Sequence, residues 1–262
     1  MSAQCKARLA EVTYLCLRHK ALRGLTLVSR WSGRSERQAH FANNGPMGSP
    51  LTELSSLEMG KLIGATVETD PFEHLVVPGF LDPSRESEVV RDFPAMRSPG
   101  SFPINKLSCG PSLLAIISEL TSGPFPKVLG EKLGMDLAKH PTLVTVRGRS
   151  QEKDGQIHTD NPNKLITLLL YLGGPGEVVE GKLRLLRSPT DLNAYATEIT
   201  PSYGTLLVFK NGPRAWHGFQ SFAGVRRVIQ INWVSGREYV EREEARHGLS
   251  ALIKMILPSA RN

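Results

Sequence analysis

Residues 156–172 read Gln156-Ile157-His158-Thr159-Asp160-Asn161-Pro162-Asn163-Lys164-Leu165-Ile166-Thr167-Leu168-Leu169-Leu170-Tyr171-Leu172. The second half, Leu165–Leu172, is apolar except for Thr167 and has the length of a buried strand. It is the longest such run in the chain, far short of the roughly 20 residues that a bilayer-spanning helix needs, so no transmembrane segment is expected. The first half predicts a strand over Gln156–Asp160. On a strand, residues i and i+2 share a face, so His158 and Asp160 would present an imidazole and a carboxylate side by side.

Working outward, further strands are expected at Leu143–Arg147, Lys182–Leu186, Ala196–Ile199, Thr205–Phe209, Trp216–Phe219 and Arg226–Val234. Clusters of turn formers separate them: Gly173-Gly174-Pro175-Gly176, Asn211-Gly212-Pro213 and Ala223-Gly224. About eight closely spaced strands without intervening helices predict an antiparallel jelly roll. Before it, His74–Pro78 reads as a short strand, and Asp82-Pro83 opens a helix running to Val90–Phe93, with Asp as cap and Pro in the first turn. A second helix is expected over Pro111–Leu120, with Leu113, Leu114, Ile117 and Leu120 on one face. A third is expected over Lys127–Leu133, stopping near Gly134. Residues 238–257 predict a C-terminal helix. The expected class is therefore mainly β with supporting helices: a jelly-roll core over about 142–235, N-terminal helices and a C-terminal helix, within a domain spanning 61–262.

Residues 1–60 show weak periodicity and many Ser, Gly and Asn, and read as a basic, disordered extension. Of the formal charge of +7, residues 1–50 carry +6. The body is close to neutral, which gives no strong nucleic-acid signal. The three cysteines, Cys5, Cys16 and Cys109, form no Cys-x-x-Cys pair, so neither a disulfide framework nor a zinc–thiolate site is indicated, and a reducing, cytoplasmic setting is expected.

A metal held by His158 and Asp160 needs a further donor from a separate strand. His217, in Arg214-Ala215-Trp216-His217-Gly218 and 57 residues after Asp160, supplies it. Two neutral imidazoles and one carboxylate suit Fe(II) with open positions; the bland alternative for His217 is a hydrogen-bonded core histidine. The strand Gly224-Val225-Arg226-Arg227-Val228-Ile229-Gln230-Ile231-Asn232-Trp233 adds a cation. Alternation groups Arg226 with Val228, Gln230 and Asn232, and Arg227 with Ile229, Ile231 and Trp233. One arginine points into the roll and the other out. The inward one needs an anion, which its planar fork can grip at two points.

In order along the chain stand His158-x-Asp160, Thr167 with Tyr171-Leu172, Gly181, Pro201 and Gly204 leading to Phe209, His217, and Gly224-x-Arg226. On these residues, the stretch from Thr142 to Val234 resembles the catalytic core of the Fe(II)/2-oxoglutarate dioxygenases, in the prolyl 4-hydroxylase-like branch, whose core is a double-stranded β-helix. The resemblance implies Fe(II) on His158, Asp160 and His217. It implies 2-oxoglutarate as co-substrate, with Arg226 on its far carboxylate, Arg227 as reserve, and Thr167 or Tyr171 adding a hydrogen bond. Ascorbate is implied as an accessory. The reaction implied is hydroxylation of an unactivated C–H bond of a small-molecule or peptide substrate by O2, releasing succinate and CO2. The chain departs from the collagen-type enzymes in having Arg for Lys at 226, and Arg149 near a position where many carry a co-substrate-binding Tyr. Peptidyl-proline is therefore not the expected substrate by default. Asn161, Lys164, Arg149 and Trp216 are candidate substrate contacts. The rival expectations are a cupin-like roll that binds metal or ligand without oxygenase activity, and an N-terminal segment acting as a nucleic-acid or membrane tether. Oligomeric state is not legible.

Overall fold

Strand periodicity on two faces organises the chain. In the computed structural model the described residues are 55–174 and 180–256, with backbone only over 247–256. Nearly all of the basic N-terminal extension, Cys5, Cys16 and the Pro175-Gly176 half of one expected turn lie outside them. The elements run α1 (Met59–Gly64), β1 (His74–Val77), a 3-10 turn (Pro83–Arg85) leading into α2 (Glu86–Asp92), β2 (Ser101–Pro103), α3 (Pro111–Thr121) and α4 (Pro124–Leu133). They continue with β3 (Thr142–Ser150), β4 (Lys164–Tyr171), β5 (Leu183–Leu186), β6 (Tyr195–Ile199), β7 (Leu206–Lys210), β8 (His217–Phe219), β9 (Gly224–Val234) and α5 (Arg237–Ile256).

The strands form a six-stranded sheet in the order β1-β7-β4-β9-β3-β2 and a three-stranded sheet in the order β6-β5-β8. The pairings are antiparallel. Side chains alternate cleanly across the large sheet. Ile166, Leu168 and Leu170 of β4, Leu206 and Val208 of β7, and Ile229, Ile231 and Trp233 of β9 share one core with Leu62, Leu113, Ile116, Leu120, Phe125 and Leu129 from the helices. The opposite face packs Tyr171, Leu207, Phe209 and Val228 against Leu183, Leu185 and Ile199 of the small sheet. Because both faces are covered, β4 reads as a nearly unbroken apolar run rather than an alternating one. This is a jelly-roll core with helices against the large sheet, as expected.

Several details differ from the sequence expectation. The stretch Gln156–Asp160 is not a strand; only His158 pairs, through an isolated bridge to His217. In α3 the buried apolar face is Leu113, Ile116, Ile117 and Leu120, at i, i+3, i+4 and i+7, whereas Leu114 is 48 % exposed. Helix α4 begins at Pro124, not Lys127: Gly123 is its N-cap and Pro fits the first turn, so the same Gly-Pro ends one helix and starts the next. Gly134, left-handed at φ 61°, ends α4. Asp82 caps as expected, its Oδ1 accepting from the Ser84 N–H at 2.8 Å. Helix α1 falls where no pattern was evident, yet Leu57 and Leu62 are in the core.

Leu62→Ala should lower the unfolding free energy by about 2–5 kcal/mol in denaturant titrations. Its neighbour Ile63, 61 % exposed, should cost no more than about 0.5 kcal/mol when changed to Ala. Equal effects would contradict the placement of α1.

Candidate metal centre

His217 sits on β8, where the small sheet ends, paired on one side with Leu185 of β5. On its other side its backbone exchanges two hydrogen bonds with His158: His158 N–H donates to the His217 carbonyl at 3.0 Å, and His217 N–H to the His158 carbonyl at 2.9 Å. Residues directly opposed in this way carry their side chains on the same face. The two rings accordingly lie 4.3 Å apart, tilted by 55°. Asp160, two residues beyond His158, completes the group. One ligand atom from each of the three lies within 4.8 Å of the others, and among the described residues no other cluster of His, Cys, Asp or Glu meets that condition.

The imidazoles are prepared as ligands. His158 Nδ1 lies 2.8 Å from the Gln156 carbonyl, and His217 Nδ1 lies 2.9 Å from the Ala215 carbonyl. A carbonyl only accepts, so each Nδ1 carries a proton, and Nε2 is the atom each ring turns to a metal. Burial, and then the neighbouring His158, push His217 down to about 4, so its ring is neutral at physiological pH. Asp160 is held on both oxygens. Lys164 Nζ lies 2.9 Å from Oδ1, and the Thr167 hydroxyl donates to Oδ2 at 2.5 Å. Burial alone would raise this carboxyl, but the Lys164 ammonium, His217 and Thr167 together bring it below the ordinary carboxylate range. The chemistry of this donor set, two imidazoles and a carboxylate, fits a divalent first-row metal with room for further ligands.

The cluster opens into a cavity of about 220 Å³ between the two sheets, lined by Thr167, Leu169, Tyr171, Val228, Gln230 and Arg226 among others. That is smaller than the roughly 300–1,000 Å³ typical of drug-sized ligands. Arg226 is 7 % exposed and faces inward. Its Nη1–H donates to the Gly181 carbonyl at 2.5 Å and its Nη2–H to the Tyr171 hydroxyl at 3.4 Å. Its guanidinium lies 4.2 Å from the centre of the Phe219 ring. Among the described residues no carboxylate forms an ion pair with it. Burial lowers its affinity for its proton, and Tyr171 and Asp154 only partly oppose this. Gly181 is left-handed at φ 64°, and a Cβ there would meet the Phe222 ring at 2.2 Å and Arg226 Nη1 at 2.8 Å. Only glycine lets this backbone come so close. A larger cavity, about 1,070 Å³, lies elsewhere, between α4, the start of β3 and α5, and shares none of the three clustered residues.

His158, Asp160 and His217 are thus brought together, and Arg226, Tyr171 and Thr167 line the same space. Alternation separates the two arginines: Arg227 lies on the other face of β9, its guanidinium 6.0 Å from the Phe93 ring. Thr167, read as a co-substrate contact, directs its proton to Asp160. Arg149 is exposed and does not line the cavity. The β3 arginine that does is Arg147, paired with Asp154 at 2.8 Å; a register shift against β9 lies between Arg147 and Arg149. Lys164 is no free surface charge but the partner of Asp160. Asn161 caps its own turn, accepting from the Asn163 N–H. Trp216 does not line the cavity. Gln230 and Asn232 escaped notice as site residues, although alternation had placed them on Arg226's face.

No protein-family model matches the chain, and no curated protein does. Among solved structures it is similar to a prolyl 4-hydroxylase from Pseudomonas putida, at 17% identity over 63% of this chain and 85% of that one, with a TM-score of 0.42. It is also similar to an oxidoreductase of the 2OG-Fe(II) oxygenase family from Burkholderia pseudomallei, at 13% identity over 62% and 84%, TM-score 0.42. A third is a prolyl hydroxylase from Trichoplax adhaerens in complex with a hypoxia inducible factor peptide fragment, at 18% identity over 66% and 86%, TM-score 0.40.

Gly181→Ala should lower stability by more than about 1 kcal/mol in thermal or denaturant unfolding, since it combines a positive φ with a blocked Cβ. Unchanged stability would contradict the packing of Phe222 and Arg226 over this glycine.

Proposed function

We propose that this protein is an Fe(II)- and 2-oxoglutarate-dependent oxygenase that hydroxylates an unactivated C–H bond of a small-molecule or peptide substrate. The observation that carries the proposal is a conjunction: a two-histidine, one-carboxylate cluster and a buried arginine with no ion-pair partner among the described residues share one small cavity. His158, Asp160 and His217 would hold the iron. When bound, iron and 2-oxoglutarate supply dioxygen activation, with oxidative decarboxylation to succinate and CO2; the remaining work belongs to the protein.

That work is positioning, charge and exclusion of water. The Nδ1–H bonds to Gln156 and Ala215 aim both imidazoles, and Lys164 and Thr167 keep Asp160 ionised. Arg226 offers its guanidinium to the far carboxylate of 2-oxoglutarate, exchanging a costly buried charge for a paired one. Tyr171, fully buried beside Arg226, adds a hydroxyl on the same wall. Leu169, Leu183, Phe219 and Val228 add apolar lining, which strengthens the polar contacts beside it. A roll that merely bound metal would gain nothing from an inward arginine nine residues after its last ligand. Ascorbate would serve as an accessory reductant. Among the described residues no helix is long and apolar enough to cross a membrane.

Succinate formation from Fe(II), 2-oxoglutarate and O2 tests the reading. His158→Ala and Asp160→Ala should abolish it. Arg226→Ala should raise the 2-oxoglutarate requirement by about 10–100-fold, the value of a charge-assisted hydrogen bond. Arg227→Ala should leave that requirement nearly unmoved. Wild-type protein that forms no succinate, or a His158→Ala variant that still does, would refute it.

A further inference from the structure

Asp160 stands on a segment that is not a strand, so sheet hydrogen bonding does not fix its side chain. What reaches it from the large sheet is a chain of buried polar groups. Thr167 of β4 and Asn232 of β9 are cross-strand partners, 2 % and 1 % exposed. Asn232 Nδ2–H donates to Thr167 Oγ1 at 2.8 Å, and Gln230 Nε2–H donates to Asn232 Oδ1 at 3.1 Å. A hydroxyl has one proton. With Asn232 donating to its oxygen, Thr167 directs that proton to Asp160 Oδ2. Gln230 in turn holds the Asn232 amide with its NH2 toward Thr167. Turned over, Asn232 would present its oxygen and draw the proton away from Asp160. Burying an Asn and a Thr in a core costs free energy unless each bond is made, and two aliphatic residues would pack the same positions. The chain's single direction gives these polar residues a use.

We infer that Asn232, which touches none of the three ligands, is a positioning residue for the metal site, acting through Thr167 to fix the rotation of the Asp160 carboxylate. The inference rests on the metal-binding part of the proposed function and adds residues to it. Gln230 orients Asn232, Asn232 orients Thr167, and Thr167 holds Oδ2, while Lys164 holds Oδ1.

Co(II) binding to the full-length chain, followed by its visible absorption, tests this without turnover. Thr167→Val should weaken Co(II) by about 10–100-fold and Thr167→Ser should largely restore it, as for other partners of ligating side chains. Asn232→Leu should weaken it by about tenfold, and the Thr167→Val/Asn232→Leu double variant should bind no more weakly than Thr167→Val alone, because both act on one hydrogen bond. Asn232→Ala carries the same expectation should the leucine variant fail to fold. A packing role would lower the melting temperature of the metal-free protein and leave Co(II) affinity in place; that result, or losses that multiply in the double variant, overturns the inference. If the wild type does not bind Co(II), or His158→Ala binds it equally well, the metal site itself fails and this inference with it. Intact wild-type binding, lost in His158→Ala but unmoved in Asn232→Leu, removes the relay alone.

Discussion

Two backbone hydrogen bonds, exchanged between His158 and His217, hold the site together. They tie a loop to the edge of the three-stranded sheet. A pair bonded in both directions has one relative orientation, so the imidazoles converge without help from the surrounding packing. Asp160 follows by its two-residue offset from His158. The Gln156 and Ala215 carbonyls then fix the tautomers, and each lies two residues before the histidine it serves. Local geometry thus sets both histidines, while the carboxylate depends on contacts from farther away.

The large sheet provides those contacts, and its two faces show the division of labour. Toward the helices, β4 and β9 present aliphatic residues and Trp233, with Arg227 near the start of β9 beside the Phe93 ring. Toward the cavity, the same strands present Thr167, Tyr171, Arg226, Gln230 and Asn232 among their apolar residues. The first face contributes stability; the second gives some of it up for polar groups, each satisfied by a named partner except for the charge of Arg226. Departure from an apolar interior on one face alone marks a functional surface. The rigid sheet grips the Asp160 loop through side chains, and the same sheet carries Arg226, the cation proposed for the co-substrate, so the two halves of the proposed chemistry are mounted on one support.

Much of this was legible in the sequence. Strand alternation in β9 places Arg226 on the face of Val228, Gln230 and Asn232, and the jelly roll follows from the succession of short strands. His158, Asp160 and His217 stand out by residue type and spacing. Less was legible where long-range register decides. Thr167 meets Asn232, 65 residues on, only because β4 and β9 pair as they do, so the hydroxyl read as a co-substrate contact is found on Asp160. Arg147 lines the cavity in place of Arg149, with a register shift of β3 between them and no local signal in the residue pattern. The strand expected at Gln156–Asp160 reduces to a single bridge because only His158 finds a partner. Leu114 is exposed because a helix buries residues at i, i+3, i+4 and i+7, and an adjacent leucine falls off that stripe.

In the function proposed here, three side chains share one ferrous ion and 2-oxoglutarate joins them there. Anaerobic equilibrium dialysis with Fe(II) and labelled 2-oxoglutarate measures this directly. One Fe(II) per chain is expected, with co-substrate retained only when the metal is present, and both lost in His217→Ala. Retention of 2-oxoglutarate without metal, or unaltered iron binding in His217→Ala, would contradict the proposal.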